Sequence, residues 1–170
     1  MKVLIRPVKP EDAEQINALR RQPEVARTML ALPSERTEKV RERIEALTPD
    51  DHFYVAVTTL PAGSEKIIGV ANLSVSHSFR TRHCGEIALG VDKNYWNQGI
   101  GSALMENLTD LADNWLRLVR LELTVDFDNE AAIHLYEKFG FEKEGVCRKA
   151  CVRDGEYIDT VMMSRIRHAD

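Results

Sequence analysis

Gln98, Gly99, Ile100, Gly101 and Ser102 stand at a junction that could do chemistry. Glu86 to Val91 reads as a short strand, Asp92 to Gln98 as a polar turn, and the run from Ile100 to Leu118 has helical spacing. Strand, glycine turn and helix in that order make a cradle for an anion. Glycine lets the backbone approach a ligand closely, and the unpaired amides of a first helical turn point at whatever negative group sits there. A plain tight turn with no ligand reads the same residues. Metal chemistry finds less support. Cys84, Cys147 and Cys151 are odd in number and contain no CxxC pair, and His77 and His83 are too isolated for a metal cluster. Cys147 and Cys151 fall in one strand-like segment with the spacing of residues that face the same side, which fits packing better than ligation.

The elements that must position this turn can be read in order. Val3 and Ile5 alternate with charged residues as a first strand ended near Pro7, and Pro10 suits the start of a helix whose Ala13, Ile16 and Leu19 share a face. Val25 to Leu32 is apolar without a clean period. Ser34 is placed to cap a helix bearing Val40, Ile44 and Leu47. Phe53 to Leu60 and Ile67 to Val75, separated by PAGSEK, predict an antiparallel hairpin. Ser76 to His83 is either a solvated turn around a buried Phe79 or a substrate-binding loop.

The spacing then predicts a long helix using Ile100, Leu104, Leu108, Leu111, Trp115 and Leu118, with Trp115 in the core. Leu121, Leu123 and Val125 form a strand, Asn129 opens a helix through Phe139 stopped by Gly140, and two last strands meet at Arg153-Asp154-Gly155-Glu156. A helix between two strands implies that the Glu86 and Leu121 strands are parallel neighbours, and ligands favour the carboxyl ends of such strands. The expected class is α/β (α+β): a mixed central sheet flanked by four helices, in a single domain over residues 1–170.

Length and composition agree with that class. A chain of 170 residues, 44% hydrophobic and 29% charged, is long enough for one core and short for two ordinary domains. A formal net charge of −4 gives no reason to expect nucleic acid as a partner. No apolar run approaches a membrane span, and MKVLIRPV reaches Arg6 too soon for a signal-peptide core, so neither membrane nor export is expected and the cytoplasm is the default.

Two segments together carry a resemblance. Gln98-Gly99-Ile100-Gly101 after a strand, followed by DNEAAIHLYEKFGF at Asp128 to Phe141, resembles the GNAT superfamily of acetyl-CoA-dependent N-acetyltransferases, and the similarity extends over nearly the whole chain. Trp96 stands where the family often has Arg or Gln, which removes a polar phosphate contact there and leaves the glycines in place. RPVKPEDAEQI, QPEV, DNWLRLVRLELTV and RDGEYIDTVMMSR are similar more narrowly to the bacterial L-amino acid N-acyltransferase branch.

The resemblance implies acetyl-CoA as donor, a small-molecule amine as acceptor, no metal, and a homodimer. It implies a parallel strand pair splayed at the cofactor, pyrophosphate on the amides of Gln98 to Ser102, and pantetheine amides along Leu89, Gly90 and Val91. Tyr136 sits at the family's tyrosine position as general acid for the departing thiolate, with a buried structural hydroxyl as the other reading. Asn129 resembles the asparagine that caps the helix and orients the CoA site. Glu86 is the general-base candidate, with Asp126 or a water chain as substitutes and a surface ion pair as the plain alternative. Met29, Leu30 and Leu32 suit an apolar side-chain pocket, while Arg80 or Arg82 suits a carboxylate; packing and a solvated loop explain them as readily. A polyamine, antibiotic or peptide acetyltransferase and a non-catalytic CoA-binding protein are the alternative functions.

Overall fold

Alternation in the first strand has a direct structural counterpart. In the computed structural model, which describes residues 2–167, β1 (Val3–Pro7) pairs antiparallel with β2 (Asp51–Thr59), and β2 forms the expected hairpin with β3 (Glu65–Val75). Three further strands follow β4 (Cys84–Val91): β5 (Arg120–Asp126), β6 (Glu142–Arg153) and β7 (Glu156–Ile166). Hydrogen bonding follows the order β1-β2-β3-β4-β5-β7-β6, a mixed sheet with flanking helices. Contacts group the chain into two compact units, Met1–Ser74 with Ala88–Thr109 and Val75–Ile87 with Asp110–Asp170.

In the first unit, α1 (Ala13–Arg20), the single turn α2 (Pro23–Ala26) and α3 (Thr37–Glu45) put Ile16, Leu19, Val25, Val40 and Ile44 into one core with Val55, Val57, Ile67 and Val70. Period-two alternation sends Ala56 to the opposite face, where it is paired with Gly69. A Cβ at Gly69 would lie 3.0 Å from Leu104 and 3.1 Å from Ile100, so this glycine lets α4 (Ile100–Asp110) lie close on the strand. Arg6 clamps the first helix by a two-pronged bond to the buried Asp12, at 2.8 and 3.0 Å.

In the second unit, β4 and β5 are parallel, in register from Cys84 with Arg120 to Glu86 with Glu122. β7 pairs antiparallel with β5 and with β6, and the β6–β7 turn has Asp154 and Gly155 at φ 54° and 82°, the left-handed pair of a tight hairpin turn. α5 (Glu130–Lys138) buries Ile133 and Tyr136. Arg165 on β7 holds Asp113 through bonds of 2.8 and 2.7 Å.

Four expectations are corrected. The long helix stops at Asp110 and continues as a wider π turn over Leu111–Trp115, where Leu116 N–H bonds Leu111 O. That widening swings Trp115 out of the apolar stripe, leaving it 77% exposed rather than in the core. Phe79 is 92% exposed: its short turn closes on its own polar groups, with Thr81 N–H on Ser78 O and the Ser76 and Thr81 hydroxyls 2.6 Å apart. Ser34 caps nothing, since α3 begins at Thr37 after Arg36. Cys147 and Cys151 do face one side of β6, since they pair with Thr160 and Ile158, two apart on β7, although a bulge with Lys149 at φ 52° lies between them; both thiols are free.

Candidate active site

The β4–α4 junction is built to keep its shape. Asp92, directly after β4 and almost fully buried, accepts from Asn94 N at 2.9 Å and Asn94 Nδ2 at 3.0 Å and pairs with Lys66 at 3.2 Å. Burial works to raise its pKa, yet the Asn94 amide, Gln22 and Lys66 overcome that and hold the carboxyl below the ordinary range. Lys93 N–H donates to Gln22 at 2.9 Å, and the Lys93 ammonium pairs with Glu24, fastening the turn to α2. Trp96, in the place of the family's polar residue, gives its indole N–H to Val91 O at 2.8 Å. Its role is structural, a brace across the turn.

Gly99 has φ 82°, a conformation costly to a residue with a side chain, and a Cβ built there meets no heavy atom within 4 Å. The space over the turn is open. The first helical bond runs from Ala103 N to Gly99 O at 3.0 Å, so the amides of Ile100, Gly101 and Ser102 precede the intrahelical ladder. Gln98 turns inward to Asn94 O at 3.1 Å. An unobstructed glycine beneath amides with no intrahelical acceptor fits a pyrophosphate.

Also in this unit, a Cβ at Gly90 would fall 1.9 Å from Met29 Sδ, so Met29 packs directly on β4 between Leu89 and Val91. Leu30 adopts φ 54° and is mostly exposed. The carboxylates that a polyamine would want are engaged: Glu24 with Lys93, Glu35 with Arg20 and Arg43 at 2.8 and 2.9 Å, and Glu38 with Arg36 at 3.7 Å.

The second unit carries Glu86, Arg80, Arg82, Asn129 and Tyr136. Glu86 is exposed and makes no side-chain hydrogen bond or ion pair among the described residues, so the surface ion-pair reading has no partner. Arg80 lies in the exposed turn Phe79–Thr81, and Arg82 directly follows it. Asn129 caps α5, its Oδ1 accepting from Ala132 N at 3.2 Å. Tyr136 is buried with its ring 6.0 Å from that of Phe141, and burial pushes its phenol up to about 12. Its hydroxyl has no hydrogen-bond partner among the described residues, unlike a structural tyrosine anchored to backbone.

Sequence reasoning did not find Asp92, Arg153 or Thr160. Arg153 bridges Asp126, at 3.3 Å, and Asp128, at 3.0 and 2.5 Å. The alternation of Asp126 and Asp128 after an apolar strand was the available signal, and its cation comes from a strand paired only in three dimensions. Among the described residues no group of His, Cys, Asp and Glu is arranged to hold a metal, and no helix is long and apolar enough to cross a membrane.

A mixed sheet containing a parallel β4–β5 pair, and a glycine turn that leaves helical amides without an intrahelical acceptor, fit an acetyl-CoA-dependent acyltransferase. Residues 15–141 match the acetyltransferase (GNAT) family, and the chain belongs to it. It is 35% identical over 165 residues to the L-amino acid N-acetyltransferase AaaT of Escherichia coli K12, covering 97% of this chain and 98% of that protein. It is 25% identical over 169 residues to the spermidine N(1)-acetyltransferase of the same organism, covering 98% and 87%. The crystal structure of a GNAT-family acetyltransferase from Streptococcus pneumoniae superposes with a TM-score of 0.81 at 32% identity, over 97% of this chain and 99% of that one. The protein is an acetyl-CoA-dependent acyltransferase acting on a small amine.

Proposed function

We propose that the acceptor is the α-amino group of a free L-amino acid. The observation that carries this reading is the 35% identity, across nearly the full length of both chains, to an enzyme named for that activity. The polyamine reading is weaker, because Glu24, Glu35 and Glu38 are already paired with cations of this chain.

In this reading the CoA pyrophosphate lies on the amides of Gln98 to Ser102, favoured by the positive end of α4. Pantetheine amides pair along Leu89, Gly90 and Val91 where β4 and β5 splay, and the Val91 amide polarises the acetyl carbonyl. Met29 and Leu30 receive an apolar side chain, and Arg80 or Arg82 takes the carboxylate. The amine attacks the thioester directly in a ternary complex. Tyr136, which burial keeps protonated at neutral pH, gives its proton to the departing sulfur. The amine's proton leaves to Glu86, exposed on β4, to Asp126, at the end of β5, or through a water chain. Assembly as a homodimer belongs to the same proposal, and sedimentation velocity checks it.

The deciding experiment supplies acetyl-CoA with L-methionine, L-phenylalanine, other amino acids, spermidine, an aminoglycoside and a lysine peptide, follows thiol release and weighs the products. Selective N-acetylation of an amino acid is the expected result. A polyamine or peptide product overturns the assignment, and CoA binding without turnover on any amine favours a non-catalytic relative.

A further inference from the structure

Asp126, the last residue of β5, is 7% exposed and poorly satisfied. Its carboxylate takes one long hydrogen bond, 3.3 Å from Arg153 Nη1, and no second donor among the described residues. Arg153 is committed elsewhere, since Asp128 engages both its Nη atoms at 3.0 and 2.5 Å. Thr160 is the register partner of Asp126 on β7, so the two side chains leave the sheet on the same face. Thr160 is 6% exposed, and its hydroxyl is buried with no partner among the described residues. A carboxylate short of donors beside a hydroxyl short of any partner is an unusual thing to bury.

The shared need is specific. An ammonium group brings three donors and no acceptor, so it can serve the free carboxylate oxygen and the threonine oxygen at once, while the negative charge of Asp126 offsets its own. We propose that Asp126 and Thr160 hold the acceptor's ammonium at the end of β5, and that Asp126, rather than Glu86, takes the proton the amine must lose before it attacks. This rests on the amine-acetylation reading above and names the group that receives the substrate nitrogen. The proton balance follows. One ammonium proton passes to Asp126 and on to solvent. The freed nitrogen lone pair forms the N–C bond to the acetyl carbon, the C–S bond breaks with its electrons going to sulfur, and the second nitrogen proton replaces the one Tyr136 gives to the thiolate.

The surroundings suit a base. Burial raises the Asp126 carboxyl above the ordinary range against the pull of Arg153, with the charge of Asp128 adding to the rise. Among the described residues the titratable and charged groups facing it are Arg153 and Cys151 from β6 and Asp128 from the following turn, and its register partner on β7 is the uncharged Thr160. Cys151 is a poor competitor as nucleophile, because burial and the Asp126 charge push its thiol up.

The test starts from the amine that the wild-type protein acetylates, so product identity judges the substrate reading separately. Asp126→Asn is expected to lower kcat/KM for that amine by about 100-fold or more and to abolish the acidic limb of its pH profile, with acetyl-CoA affinity unchanged. Thr160→Val is expected to raise KM for the amine about 3- to 10-fold with kcat nearly intact. An Asp126→Asn enzyme within about 3-fold of wild type that keeps the acidic limb overturns the proton-acceptor role. Thr160→Val with unchanged KM overturns the ammonium subsite, and this near-isosteric change decides that point even if Asp126→Asn does not fold. A loss confined to melting temperature, with kcat, KM and pH profile preserved in the folded fraction, shows the cluster to be structural and overturns both.

Discussion

Two aspartates close the two parallel strands, and their surroundings push them in opposite directions. Asp92 follows β4 and is surrounded by donors: a backbone amide, a side-chain amide and an ammonium. Its carboxyl is held below the ordinary range although burial opposes this. Asp126 ends β5 with one long bond from a guanidinium already shared, and its carboxyl is held above the ordinary range by burial. The same residue type at equivalent points of two strand-to-helix turns is thus fully satisfied in one and short of donors in the other. The helices that follow divide in a complementary way. α4 leaves its first amides open for an anion, whereas α5 spends an early amide on the Asn129 cap. One turn works through backbone, the other through side chains.

The largest expected effect lies on α5. Tyr136→Phe should lower kcat by about 10²-fold or more while leaving the melting temperature unchanged, because the lost hydroxyl has no partner among the described residues. A fall in stability with kcat retained would move Tyr136 to the structural side. Asp92→Asn and Asp126→Asn sharpen the contrast directly. At pH 7 the first should destabilise by about 1–3 kcal/mol, from lost hydrogen bonds and an unpaired Lys66, and the second should leave stability unchanged or higher. The pH dependences have opposite signs. The Asp92 contribution is present above the ordinary carboxylate pKa and is lost as pH falls through its depressed folded value. For Asp126, stability is intact below the ordinary pKa and declines as pH rises through its elevated one. Urea titrations of wild type and both variants between acid and neutral pH read this, and parallel slopes would break the comparison.

Gly99→Val tests the backbone turn: a β-branched residue at φ 82° should cost about 1–2 kcal/mol of stability. The KM for acetyl-CoA should rise about tenfold as the valine obstructs the open amides. An unchanged KM would remove pyrophosphate from that turn. The smallest effect belongs to Asn129→Ala, about 1 kcal/mol from a lost helix cap, with the KM for acetyl-CoA constant. A rise in that KM would mean that Asn129 also serves the cofactor.

Much of the fold was legible because it depends on local rules. Alternation marked β1, the β2–β3 hairpin and β5; Gly99 and Asn129 announced the two helix starts. What escaped depends on the helix interior or on distant partners. A π turn shifts every later side chain around the axis, and periodicity carried through Trp115 cannot register it. Asp126 was visible as a carboxylate at a strand end, whereas Arg153 and Thr160 reach it only through the pairing of β5, β7 and β6. Asp92 looked like one more polar residue in a turn, and its partners Lys66 and Gln22 lie far back in the chain.

The bulge between Cys147 and Cys151 has a consequence for how the protein behaves in bulk. β6 ends the strand order, and residues 142–150 are exposed, including Val146. A straight strand in that place would offer its free amides and carbonyls as a template on which other chains could stack. The bulge breaks that template midway: Lys149 turns to φ 52° and gives its amide to Asp159 at 2.8 Å, within its own hairpin. Lys143, Arg148 and Lys149 add positive charge along the same stretch. The outermost strand is thereby a poor template for edge-to-edge pairing.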